Sequence, residues 1–342
     1  MRIIWSFVLL TAAAAEIQPF FHLEGSAWRA TDIIVATEGD KVDGKLTVLE
    51  PLKGGLKKGD TVQVLDLARF AAAEARAIHG DREPGKGLTH VTGSRMILFM
   101  VRAQDGAWEP ATSWKVWSAA TLWIEGKEVF GFDQPNNPGP SLLVQLQIEE
   151  GAVHEHAVRT SRIAADLTRA TKIADLDKRA AILKDHLTPE NRYAFVAVVK
   201  ALEECGAVAA PILAERIRDD RLWLQQGDLV VSLARVLGNK AGPELHRLFD
   251  EDLAYWRLEA PRLKKGWFGF PREDETRVAR LCQRMGRTLE SLRGLRALKY
   301  AAARETVVAL RDLWRSTPAL EDSNGGFDTT SKECDAFLES LR

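Results

Sequence analysis

Short runs of β-branched and apolar residues alternate with polar clusters over residues 28–132, and this alternation predicts β-strands. Clusters such as EGDKVDG and KGGLKKGD separate the runs and are typical of turns. Four of the runs, DIIVATE, KLTVLEPL, TVQVLDL and SRMILFMV, lie at residues 32–38, 45–52, 61–67 and 94–101. They predict the first four strands of a small antiparallel sheet.

Two aromatic segments extend this pattern to about six strands. WKVWS spans residues 114–118, and TLWIEGKEVFGF spans residues 121–132. The second reads as a hairpin, with its turn at residues 125–127 and with Trp123 facing Val129. About six short strands with regular turns predict a small antiparallel barrel or sandwich.

The period of the apolar positions changes to that of a helix after residue 145. The segment DQPNNPGPS, at residues 133–141, holds three Pro and one Gly and is typical of a linker. Beyond it, apolar residues recur every three or four positions. One such stripe consists of Val278, Leu281, Cys282, Met285, Leu289 and Leu292. We expect eight or nine helices in residues 146–342.

Two helical hairpins in this half repeat with a spacing of 32 residues. LEECGAVAAPIL begins at residue 202 and ARVLGNKAGPEL at residue 234, so Gly206 corresponds to Gly238 and Pro211 to Pro243. Gly can end a helix in the left-handed conformation at little steric cost, and Pro in the first turn of a helix loses no hydrogen bond. A third copy, VARLCQRMGRTLESL, would place Gly286 at the equivalent position after a 16-residue insertion. The alternative is a chance pair of neighbouring antiparallel helices.

The segment VVKALEECGAVAAPIL resembles HEAT-type repeats, in which a small residue and a Pro open the second helix. This resemblance implies an irregular α-helical, HEAT-like array, although the usual Asp and Arg ladder positions are not evident. The stretch from ATDIIVATEG to KKGDTVQV, with GSRMILFMV, resembles the netrin-like, OB-type barrels of exported proteins. It implies a fold alone, because the Cys that inhibitory members use is missing from this half.

The predicted fold class is therefore α+β and multidomain, with a small antiparallel, OB-like β-barrel followed by a HEAT-like helical array. The predicted divisions are a signal peptide, a barrel-like domain, a Pro-rich linker and a helical repeat-like domain, at residues 1–15, 16–132, 133–145 and 146–342. A chain of 342 residues has room for two such domains.

The first residues predict export. MRIIWSFVLLTAAAAE has a basic start, an apolar run and small residues, the three parts of a secretory signal peptide, with cleavage expected near Ala15. The alternative is a buried N-terminal strand or helix. We expect a secreted or periplasmic protein with no transmembrane segment after cleavage.

Net charge bears on nucleic-acid partners, and cysteine content bears on disulfides. The formal net charge of −1 gives no general attraction to nucleic acid, so no nucleic-acid partner is expected. The three Cys, at 205, 282 and 334, are too few for a disulfide scaffold. A bridge between Cys205 and Cys282 and a role as small buried hydrophobes are both open.

No motif in the chain predicts catalysis, a cofactor or a metal. GDREPGKG, at residues 80–87, is close to a phosphate-binding loop but has Gly87 where Ser or Thr is needed. His154 and His156 could share a metal on a strand, but they would diverge on the helix expected there. The carboxylate pairs 219–220 and 251–252 read as surface charges at helix ends.

Two aromatic stretches are the candidate binding sites. Trp114, Trp117 and Trp123 could bind sugars or a protein, or could pack in the barrel core. The segment LKKGWFGFPRED lies in the insertion after the repeat and could dock on nearby helices or on a partner. Its candidate contact residues are Lys264, Lys265, Trp267, Phe268 and Phe270.

We therefore expect an exported, non-catalytic binding or scaffold protein that recognises a protein or an envelope polymer through its helical array. An unrecognised cell-envelope hydrolase and a carbohydrate-binding module are the alternatives.

Overall fold

The computed structural model describes residues 21–38, 44–64, 95–112, 117, 120–125, 128–132, 143–145, 149–263, 275–321 and 327–342. In these ranges the chain is α+β, with a curled antiparallel sheet in the N-terminal part and an array of helices in the C-terminal part. It divides into two compact units, Met1–Arg162 and Ile163–Arg342. The α+β class predicted from the periodicity is confirmed.

Eight described strands form one antiparallel sheet. They are β1 (Asp32–Glu38), β2 (Lys45–Lys53), β3 (Thr61–Gln63), β4 (Arg95–Arg102), β5 (Trp108–Pro110), β6 (Thr121–Glu125), β7 (Glu128–Phe132) and β8 (Leu143–Gln145). Their order in the sheet is β3-β2-β1-β4-β6-β7-β8, and β5 pairs with β4. The sheet curls into a half-barrel, and its resemblance to OB-type barrels stays a prediction.

The core of the first unit lies at the centre of this sheet. In β4, the five residues Met96–Met100 are all buried, because both faces of the strand are covered. Helix α1 (Leu23–Arg29) adds Ala27 to the same apolar cluster, and helix α2 (Glu150–Ala170) adds Val153 and Ala157. In β2, by contrast, buried Leu46 and Val48 alternate with exposed positions.

Two predictions for the strands differ from the structure. In the β6–β7 hairpin, Trp123 pairs with Phe130 and Val129 pairs with Ile124, so the expected pairing of Trp123 with Val129 is wrong by one position. The three residues of β8, which we placed in the linker, pair with β7. Residues 133–142 lie outside the described ranges.

The second unit is helical. It begins inside α2, because the division between Arg162 and Ile163 falls within that helix. The further α-helices are α3 (Leu176–Lys184), α4 (Phe195–Glu203), α5 (Ala210–Ile217), α6 (Gln226–Leu237), α7 (Gly242–Glu259), α8 (Glu275–Ala297), α9 (Arg304–Arg315), α10 (Pro318–Glu321) and α11 (Phe327–Ser340). Short 3-10 helices span Pro189–Asn191, Gly206–Ala209, Asp220–Gln225, Gly238–Lys240, Ala260–Arg262 and Ala301–Ala303. No helix in the described ranges is both long and apolar enough to cross a bilayer.

The helices pack in two successions. In the first, α4 contacts α6, α6 contacts α8, and α8 contacts α11. In the second, α7 contacts α9, and the helices of the two successions meet in the pairs α5–α6, α7–α8 and α9–α11. This arrangement is a helical array, as the periodicity predicted.

The two repeat copies have the local geometry that their Gly and Pro residues predicted. Gly206 and Gly238 have φ angles of 62° and 52°, and Pro211 and Pro243 lie in the first turns of α5 and α7. The third copy is wrong, because Gly286 lies inside α8 and ends no helix. An uninterrupted apolar stripe keeps that segment helical on both sides of the glycine.

Candidate functional site

The candidate site is a groove between α4 and α6, the first helices of the two repeat copies. In α4, Phe195, Val198, Val199 and Leu202 are buried. In α6, Leu229, Val230, Ser232 and Leu233 are buried. These buried stripes set both helices side by side and leave one face of each at the surface.

The groove is lined by the same repeat positions from both helices. Its volume is about 270 Å³. The contributing residues are Phe195, Val196, Val199, Lys200 and Glu203 from α4, and Asp228, Val231, Ser232 and Arg235 from α6. Adding 32 to 196, 199, 200 and 203 gives 228, 231, 232 and 235, so the spacing seen in the sequence builds this surface.

The floor of the groove is aliphatic. Val199 is buried and Val231 is partly buried, whereas Val196 is 68% exposed. A valine this exposed in a helix that otherwise points its apolar residues inward provides apolar area for a partner. Phe195 is 1% exposed, so it offers no aromatic face.

A polar bridge closes one end of the groove. The Ser232 hydroxyl donates to Glu203 Oε1 at 2.6 Å, and Arg235 Nη1 donates to the same oxygen at 3.1 Å. The side chains of Lys200 and Asp228 are exposed and form no hydrogen bond or ion pair with another residue in the described ranges. The walls therefore carry one unpaired cation and one unpaired anion.

A second polar cluster lies between α5, α7 and α8, with Arg287 and Asp252 buried and the other members partly buried. Arg218 at the end of α5 lies 3.2 Å from Glu244 and 2.9 Å from Glu251, both on α7. On α8, Arg287 Nη2 lies 3.0 Å from Glu251 Oε2 and 3.0 Å from Asp252 Oδ1. These pairs form a chain of charges across three helices, and this chain has no counterpart among the predicted features.

The Asp252 carboxyl is the innermost group of that chain. It is fully buried, and burial raises its pKa to about 6 although Arg287 and Arg284 favour the ionised form. Thr288 also donates to its Oδ2 at 3.2 Å. The expectation that residues 251–252 carry surface charges at a helix end is wrong, because they lie within α7 and Asp252 faces α8.

One lysine in the first unit has a perturbed pKa. Lys53 Nζ donates to the carbonyl of Ala27 at 2.8 Å, at the end of α1. Burial lowers its pKa to about 8, and the nearby Asp32 partly offsets this effect. The lysine stabilises α1 against β2 through this bond.

The histidines and cysteines of the described ranges form neither a metal-binding group nor a disulfide. His186 Nε2 lies 2.9 Å from Asp166 Oδ2, and His246 Nε2 lies 3.1 Å from the Thr306 hydroxyl. His154 and His156 both lie on α2, and no group of three His, Cys, Asp or Glu in the described part could hold a metal ion. The three thiols are free, so Cys205 and Cys282 form no bridge, and burial raises the pKa of Cys334 to about 12.

The binding residues predicted from the aromatic stretches are only partly described. Trp117 and Trp123 are 5% and 7% exposed, as their alternative role in core packing requires. Trp114 lies outside the described residues, as do Lys264, Lys265, Trp267, Phe268 and Phe270. Their role in binding stays a prediction.

Comparisons with protein-family models, with curated proteins and with solved structures find no match for this chain.

Proposed function

We propose that the protein is an exported, non-catalytic binding protein, and that the groove between α4 and α6 holds part of a partner protein. The observation that carries this proposal is the open groove lined by equivalent positions of two repeat copies. Repeated helical hairpins form continuous surfaces of this kind, and proteins built from them use such surfaces for recognition.

The packing of the array supports the HEAT-like part of the proposal. The succession α4, α6, α8 and α11 puts four helices side by side, and its first two members are the first helices of the two repeat copies. The charge chain through Arg218, Glu251 and Arg287 joins neighbouring hairpins, as a ladder of ion pairs would. The surface formed by the first helices therefore has a regular support behind it.

The chemistry of the lining favours a protein over an envelope polymer. Sugars bind well on exposed aromatic faces, whereas this floor is formed by Val196, Val199 and Val231. The lining includes no His or Cys, and the hydroxyl of Ser232 is bonded to Glu203. These features suit recognition of a peptide surface that carries both apolar and charged side chains.

Photocrosslinking in the cells that produce the protein tests the proposal. A photoreactive phenylalanine replaces Val196 in the full chain, and Val158 on α2, which is 65% exposed against 68%, provides the matched control position. We expect a discrete protein adduct from position 196 that position 158 does not give. No adduct at position 196, or the same adducts at both positions, would contradict the proposal.

A further inference from the structure

We infer that the groove binds an amphipathic helix of the partner. This helix presents one apolar side chain and, about one turn apart on the same face, a basic and an acidic side chain. This inference rests on the proposed function and adds the chemistry of the ligand.

The apolar contact is set by the middle of the groove. Val199 and Val231 occupy equivalent repeat positions and face the groove together, with Val196 exposed beside them. Val199 is already buried, so an aliphatic side chain of the ligand would remove apolar surface from water mainly at Val196 and Val231. The apolar anchor of the ligand therefore lies between the two helices.

The two unpaired charges define the polar side chains of the ligand. Asp228 lies in the first turn of α6. Lys200 lies on α4, at the position equivalent to Ser232, which is one turn after Asp228 on α6. Four residues of helix separate these levels by about 6 Å. A ligand helix with basic and acidic side chains at positions i and i+4 matches this separation, and each of its charges meets its opposite.

The bridge at the far end limits the length of the contact. Glu203 already binds Ser232 and Arg235, so it is a filled end wall and not a further binding point. From Val196 to Glu203 the groove runs along eight residues of helix, whose seven rises add up to about 10 Å. Two turns of a ligand helix fill this length.

A helical ligand suits the groove better than an extended one. The backbone groups within α4 and α6 are bonded inside their own helices, so they cannot pair with an extended chain. An extended backbone buried here would leave polar groups unpaired. A helix satisfies its own backbone and presents only side chains, which is the mode of helix-in-groove recognition.

The test is selection from a phage library of alanine-rich, 14-residue helices with one randomised face, using the immobilised full chain. For the wild type we expect enrichment of an aliphatic residue with basic and acidic residues one turn apart. With Asp228→Lys we expect the basic residue to disappear from the enriched set. With Lys200→Glu we expect the acidic residue to disappear.

Affinities of one enriched peptide, measured by fluorescence polarisation, make the test quantitative. Asp228→Lys should weaken binding at least about tenfold, which corresponds to about 1.4 kcal/mol. The control is Asp185→Lys, which reverses the charge of another exposed aspartate in the same unit. The side chain of Asp185 has no partner among the described residues, so this change should alter the affinity less than about twofold. Melting temperatures of the variants confirm that each is folded.

The outcomes separate this inference from the proposed function. Peptides that bind all variants equally, or a library that yields no enriched peptide, would overturn the inference. The crosslink from position 196 is independent of the library, so a protein adduct there would leave the proposed function standing. If neither the crosslink nor the library selection gives the expected result, both the proposed function and the inference are contradicted.

Discussion

At the scale of single residues, the same helices carry side chains with opposite tasks. Val199 is buried between α4 and α6, whereas Val196, one turn earlier on α4, is exposed beside the same groove. Asp252 is fully buried on α7, whereas Asp250, two residues before it, has a side chain that is 54% exposed. Such contrasts decide which substitutions affect stability and which affect binding.

Asp252→Asn is expected to change how stability depends on pH. The pKa of Asp252 is raised from 3.8 to about 6 in the folded chain, so the folded state holds the proton more tightly than the unfolded state. The stabilising contribution of the protonated group is complete below pH 3.8 and is lost as pH rises through 6. Asn cannot ionise, so the variant should gain up to about 3 kcal/mol relative to the wild type between pH 4 and pH 7.

Urea unfolding at several pH values measures this difference. Asp228→Asn is the control, because Asp228 is exposed and its removal should change the free energy of unfolding by less than about 0.5 kcal/mol. A relative loss of stability for Asp252→Asn with rising pH would contradict the account. It would mean that Arg287 and Arg284 outweigh the cost of burying the carboxylate.

At the scale of elements, two glycines with different backbone angles should respond in opposite directions. Gly238 has φ and ψ angles of 52° and −131° and space for a methyl group, so Gly238→Ala should cost about 1–3 kcal/mol through backbone strain alone. Gly286 lies within α8, also with space for a methyl group, so Gly286→Ala should stabilise by up to about 1 kcal/mol. Thermal unfolding of both variants measures these changes.

Equal effects of these two substitutions would contradict the helix boundaries. In particular, a destabilising Gly286→Ala would restore the third repeat copy, in which this glycine ends a helix. The matched pair therefore tests where the regular part of the repeat stops.

Local patterns predicted the elements better than their pairing. The run DIIVATE predicted β1 with its observed ends, and the Pro residues of the two repeat copies predicted the starts of α5 and α7. The β6–β7 register was predicted wrongly because we assigned Glu125 to the turn, whereas it pairs with Glu128 and so shifts the pairing by one position. The Arg218–Glu251–Arg287 chain escaped prediction because its members, 33 and 36 residues apart, meet only when three helices pack.

At the scale of the whole molecule, the export of the chain stays a prediction from its first residues. Removal of a signal peptide should leave a mature chain that begins near residue 16. Intact-mass measurement of the protein from the periplasm or medium of its own host tests this. A full-length chain that starts at Met1 and stays in the cytoplasm would contradict it.

The whole molecule combines a curled sheet in one unit with a helical array in the other, and the proposed binding site lies in the array. The sheet has a closed apolar core that includes Trp117, whereas the array has a groove with an aliphatic floor and unpaired charges. The two units are thus different in kind, and the open surface that the repeat builds belongs to the second.

The proposed groove makes a quantitative prediction for the protein that the crosslink at position 196 captures, namely how tightly it binds. Titration calorimetry would compare the wild-type chain with Val196→Asp and with the control Val158→Asp, whose valine is equally exposed on α2. We predict that Val196→Asp weakens binding at least about tenfold and that Val158→Asp leaves it unchanged, with equal melting temperatures. Equal affinity of all three chains would contradict the claim that the groove between α4 and α6 is the binding site.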